Sequence, residues 1–177
     1  MQVDIVKLLK ESLEIKLNKS MGKKQRIIVG SILEINIEDQ YYTYAQILGE
    51  GGYAFFDYKA TEKLKDYRIL LKMPILFITG VYDDVVTEGY WPKVGTLELR
   101  EDLQEQPMQF IQDALHPDRF EFYNPNTGEI TPATKQQIRG LERAAVWEAS
   151  HIEDRIRDHY NGVPCIWLQD DIELFKD

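Results

Sequence analysis

One cysteine, three histidines and four serines are all that this chain of 177 residues offers to thiol, imidazole or serine-hydroxyl chemistry. Cys165, in "GVPCIWL", has no second cysteine to pair with and sits among apolar neighbours, so it reads as a buried, inert thiol. None of Ser12, Ser20, Ser31 and Ser150 lies in a G-x-S-x-G turn, and His116, before Pro117, has no serine or cysteine motif to serve as base. His159 falls where the end of a helix is expected, and its partial charge suits that helix dipole. His151 follows Glu148 by three residues, but an E-x-x-H metal site needs a second such pair on another helix, and the chain has none. The sequence therefore nominates no catalytic residue, metal or cofactor, and points away from an enzyme.

Long apolar runs are also missing. The first residues, "MQVDIVKLLKESLEIKLNKSMG", are interrupted by Asp4, Lys7, Lys10, Glu11 and Glu14, which leaves neither a secretory core nor a membrane span. A cytoplasmic protein without membrane contact is expected. The glycine-rich "GEGG" lacks the lysine and hydroxyl of a phosphate loop, and Asp83, Asp84 and Glu88 match no calcium-loop spacing.

Positive charge is short: 21 basic against 30 acidic residues give a net charge of −9. The deficit is local. Between Gly80 and Ile130 eleven acids stand against Lys93, Arg100 and Arg119, whereas residues 1–26 hold seven bases and three acids. One strongly negative face would repel nucleic acid and speed the approach of a basic partner. General acidity for solubility explains the same count, and both readings stay open.

What the chain does have is a core. Hydrophobic residues make up 44% of the sequence, and a chain of this length buries roughly 70% of its unfolded surface. One domain over residues 1–177 is expected. Val6, Leu9, Leu13 and Leu17 are spaced for an amphipathic helix over about 3–19. Short β-rich runs fill about 26–131, among them "RIIVGSILEINI", "YYTYAQIL", "YAFFDY" and "YRILLKMPILFITGV". Thr134 and Gln137 make a capping-box pattern, and Ile138, Leu141, Ala145, Ala149, Ile152, Ile156 and Tyr160 follow as one stripe, predicting a long helix over about 134–160. A short strand over about 163–168 completes the expectation. The fold class is α+β, with an antiparallel, strongly curved or barrel-like sheet packed with an N-terminal helix and a long C-terminal helix.

Seven of the twenty aromatic residues fall between Tyr41 and Tyr58, on two strands around Gly49, Gly51 and Gly52. Alternation places rings on both faces of this predicted hairpin, which favours a covered sheet over a ligand-stacking surface. In "EGYWPKVG", Trp91 fits either an interface anchor beside the acidic segment or a closure of the core.

The succession "VGSILEINIEDQYYTYAQIL", "YAFFDY", "PILFITGV" and "YWPKVG" resembles the immunity protein 26 family of bacterial polymorphic toxin and contact-dependent inhibition systems, from about Ile28 to Leu99. The resemblance implies an α+β cytoplasmic protein, encoded beside a toxin gene, that binds the toxin domain and neutralises it in the producing cell and its siblings. It brings no catalytic residues. With the acidity, it implies a basic, nuclease-like toxin domain as partner, contacted by Asp83, Asp84, Glu88, Trp91, Glu98, Glu101, Asp102 and Glu105. Two alternatives remain: a carboxylate enzyme acting on a sugar-like ligand through Asp57 and Asp83, or an adaptor that takes a peptide in a groove of Tyr42, Tyr44 and Trp91.

Overall fold

A computed structural model describes residues 22–176, so the helix expected over residues 3–19 lies outside them. Ten strands are arranged in two sheets. The first sheet takes β1 (Ser31–Ile37), β2 (Tyr41–Ile47), β3 (Gly52–Phe56), β4 (Ile75–Val81), β5 (Lys93–Thr96) and β10 (Val146–Trp147), in the order β10-β4-β3-β2-β1-β5. The second takes β6 (Gln109–Gln112), β7 (Phe120–Tyr123), β8 (Ile130–Ala133) and β9 (Glu142–Arg143), in the order β8-β7-β6-β9.

Strand alternation explains the larger sheet. On one face Leu33, Ile35, Ile37, Ala45, Ile47, Tyr53, Phe55 and Phe77 form a buried cluster. Helix α2 (Ala149–Asn161) covers it with Ile152 and Ile156, helped by Trp91 and by Val85 and Val86 of the single-turn helix α1 (Asp84–Thr87). On the other face Ile32, Tyr44 and Phe56 pack under Leu70 and Tyr67 of a 3-10 turn (Tyr67–Lys72). Leu48, Ala54 and Ile78, on the same side, are closed by Leu103. Each fully buried ring or branched side chain contributes about 1.5–3 kcal/mol. The Tyr41–Tyr58 hairpin is thus core: Tyr44, Tyr53, Phe55 and Phe56 are all at most 1% exposed. The smaller sheet has its own cluster of Phe110, Phe120 and Ile138, against Leu174 of α3 (Gln169–Leu174) and Phe175.

Three expectations about this architecture fail. The sheets are open, and they are mixed: β10 pairs with β4 and β9 with β6 in parallel, and β5 and β10 stand at opposite ends of the larger sheet. The sheet does not close on itself because separate segments cover its two faces, so neither needs curvature to be buried.

The long helix over 134–160 is also absent. Its capping box does form, with Gln137 N–H donating to Thr134 Oγ1 at 3.3 Å and Thr134 N–H donating to Gln137 Oε1 at 2.9 Å. It caps only a short turn. Gly140 then adopts φ +86°, which ends any helix and suits glycine alone. The chain continues extended through β9 and β10, and Ile138 packs in the smaller sheet while Ile152 and Ile156 pack in the larger. Helix α2 begins only at Ala149 and is followed by Gly162. Past it, the expected strand over 163–168 is instead a 3-10 turn (Ile166–Leu168) leading into α3, around a Cys165 that is 7% exposed.

Candidate functional site

A cleft of about 760 Å³ opens between the two sheets. One wall is the Glu50–Gly51 turn of the β2–β3 hairpin together with Val81, Tyr82 and Asp83 at the end of β4. The facing wall is Gln106 and Gln109 with Tyr123 and Pro125, and Ala144, Ala145 and Val146 join the two. This joining segment is fixed at both ends, by Ala144 N–H donating to Phe110 O at 2.8 Å and Tyr82 N–H donating to Trp147 O at 3.1 Å. Gln106 stitches the rim. Its main chain exchanges hydrogen bonds with the side chain of Asn126, while its Nε2 donates to Gly49 O at 2.8 Å. Glu50 sits in the left-handed region, φ +53°, where glycine would be the relaxed residue.

The acids named from the sequence fall into two groups. Asp83 is exposed and lines the cleft, Asp84 opens α1 half-buried, and Glu88 follows it. Burial, followed by the charge of Glu148, raises the pKa of Asp84, whose Oδ1 is buried without a hydrogen-bond partner. Burial, with Asp83 and Asp84 adding their charges, pushes the phenol of Tyr53 up to about 12. Trp91 is only 1% exposed: it meets Phe55 edge to face at 5.9 Å, and its Nε1–H donates to Glu153 Oε1 at 3.0 Å. The ring supports the acidic loop from beneath. Gln25 clamps the same loop, donating to Val86 O and Trp91 O and accepting from Lys93 N–H. The close approach needs a glycine, since a Cβ on Gly89 would lie 2.8 Å from Lys23 O.

The second group lies past β5 on the other face of the sheet. Glu98 is exposed, and Glu101 and Asp102 sit on a 3-10 turn (Glu101–Leu103) whose Leu103 points into the core. Arg100 holds both oxygens of Asp102, at 2.9 and 2.7 Å, and keeps its carboxyl below the usual carboxylate range. Glu105 is exposed beside Gln106. Of these acids only Asp83 lines the cleft; the second group reaches no nearer than Glu105, whose neighbour Gln106 stands in the facing wall.

The geometry bears on the alternatives. Asp57 and Asp83 stand at opposite ends of the β3–β4 pair, in which Gly52 faces Gly80 and Phe56 faces Ile75. About five residues of strand, roughly 17 Å, separate these two ends, and each acid lies beyond its end. Paired glycosidase carboxylates sit about 5–9.5 Å apart. Tyr44 and Trp91 are buried in clusters on opposite faces of the sheet, so they line no common groove. The ring of His151 stacks on Trp167 at 3.5 Å, and no group of three potential metal ligands gathers among the described residues. No helix among them is long and apolar enough to cross a membrane.

Sequence reasoning missed Glu50, Tyr82, Gln109 and Tyr123, and weighed Glu148 only with His151 as a metal pair. Glu50 was visible only as part of a glycine turn, and Gln109 and Tyr123 gave no signal, since pairing between β6 and β7 is what places them together. No curated protein and no solved structure matches the chain. The model of one family, described as Immunity protein 26, matches residues 28–121, which run from the start of the larger sheet through β6 into β7. The match takes in more than half of the chain, which belongs to the Immunity protein 26 family.

Proposed function

We propose that this chain neutralises a cognate toxin domain in the bacterial cytoplasm by binding it through the acidic surface around the cleft and blocking its active site sterically. The observation that carries the reading is that Glu50, Asp83, Glu88, Glu98, Glu101 and Glu105 have no ion-pair partner among the described residues. Uncompensated like charges on a folded chain repel one another, and a basic partner relieves that repulsion while being drawn in faster. A basic, nuclease-like toxin has the complementary charge. Trp91 stiffens this surface from within, and the exposed rings of Tyr82 and Tyr90 are placed to contact the partner.

The test is co-expression with the toxin domain encoded beside this chain. Restored growth and a complex that survives purification are expected; full toxicity with no co-purified complex refutes the reading. Asp83→Lys with Asp84→Lys should slow association more than it speeds dissociation, and an unchanged on-rate at low salt removes the steering role.

A further inference from the structure

The cleft contains one group that the fold leaves unfinished. Gln109 is only 4% exposed, yet it lines the cleft, and its carboxamide makes no hydrogen bond among the described residues. Its backbone is committed to both neighbours, Tyr123 on β7 and Glu142 on β9, so the side chain alone is unpaired. The amide atoms reach the open cleft and are not sealed in the core, and an amide that faces a cleft without a protein partner is a preformed acceptor and donor for whatever enters.

The surroundings specify the entrant. Among the described residues, Glu50 and Asp83 stand in the walls without ion-pair partners, and no lysine, arginine or histidine lines the cleft. Tyr82, 51% exposed, and half-buried Tyr123 add two ring faces of the kind that attract a cation. At about 760 Å³ the space exceeds what one side chain fills. It lies within the range of roughly 300–1,000 Å³ typical of ligand clefts. We propose that the cleft between the sheets receives a basic loop of the partner protein, an arginine or lysine of that loop reaching the Gln109 carboxamide while Glu50 and Asp83 hold its charge at the mouth. The proposal rests on the toxin-binding reading and names the element of the toxin that this chain grips.

The test measures affinity for the toxin domain encoded beside this chain. Ala145→Trp fills the cleft from an exposed position and should weaken binding at least 100-fold. Gln109→Leu should leave stability unchanged, since no protein hydrogen bond is lost, while weakening binding about tenfold; a merely structural role would lower stability. Glu50→Gln with Asp83→Asn should cost about tenfold, mostly in association rate. Alanine replacement of the toxin's basic residues should find one whose loss adds nothing further in the Gln109→Leu background. A wild-type complex that Ala145→Trp and Gln109→Leu form equally well overturns the cleft proposal and leaves the immunity reading standing. A wild-type chain that binds no toxin overturns both. Spermidine or glucose that perturbs the cleft amide signals without competing with the toxin identifies a small-molecule site and also overturns the proposal.

Discussion

Arg155 is the residue whose loss should cost most for a single side chain outside the core. It projects from α2, its side chain 11% exposed, and lies over the Phe77 ring at 3.7 Å and near Trp147 at 5.1 Å. Both guanidinium nitrogens bind Glu142, Nη1 donating to Oε2 at 3.1 Å and Nη2 to Oε1. Phe77 belongs to the larger sheet and Glu142 to the smaller, so a single group ties the two together. Removing one partner of a largely buried pair costs about 3–5 kcal/mol. Glu142, 22% exposed, regains some water. The lower end, about 3 kcal/mol, is therefore the expected cost of Arg155→Ala, out of a total stability of about 5–15 kcal/mol. For a chain of this size each kcal/mol corresponds to about 2–4 °C, a fall in Tm of about 6–12 °C. Urea unfolding at neutral pH gives the free energy directly. Arg155→Lys keeps the charge but not the planar fork or the ring stack, and should lose about half as much. Arg155→Met with Glu142→Leu should come close to wild type, because no charge is then left stranded. A loss below about 1 kcal/mol for Arg155→Ala would place the pair with ordinary surface ion pairs and refute the reasoning.

Three further outcomes are expected. Asp84→Asn should raise the urea midpoint at pH 7: its raised folded-state pKa means that the protonated form is favoured, so the benefit of the native carboxyl is full below 3.8 and is lost as pH rises. The advantage of the variant should shrink toward pH 4, and a variant less stable than wild type at pH 7 contradicts the assignment. Glu50→Gly should relieve a left-handed residue, with at most about 1 kcal/mol of net gain once the entropy of glycine is set against it. Toxin affinity should fall in the same variant, whereas a loss of stability would show that the Glu50 conformation is unstrained. Burial pushes the phenols of Tyr44 and Tyr53 up from 10.0 to about 12, so the stability they confer is intact below pH 10 and is lost between 10 and 12. Phenolate absorbance of these two should appear together with unfolding, and their free titration in a folded chain argues against burial.

The hairpin was legible because its information is local: rings on both faces of two short strands demand cover on both sides, whichever segments provide it. The helix over 134–160 failed for the opposite reason. Thr134–Gln137 and the stripe through Ile138 and Leu141 are genuine helical signals, but Gly140 breaks the run, and pairing with β4 and β6 draws the residues beyond it into two sheets. Strands of two residues with distant parallel partners leave no periodicity to read. The acids could be read as charge but not as position, because their assignment to two faces depends on how Leu103 and Val85 enter the core. Trp91 turned inward because Phe55 and Glu153 receive its ring and its N–H, contacts made far along the chain.

The joining segment at Ala144–Val146 also sets the order in which the molecule is completed during synthesis. Val146 reaches back to Gly80 and Arg143 to Phe110, so both sheets gain an outer strand only after the chain through Val146 has left the ribosome. A chain halted near Gly140 carries the strands through β8 and every acid of the 80–130 stretch, but it has neither the segment joining the cleft walls nor the Arg155–Glu142 tie. The acids and the cleft beside them are thus completed at different times, and only a chain extended past Arg155 holds both.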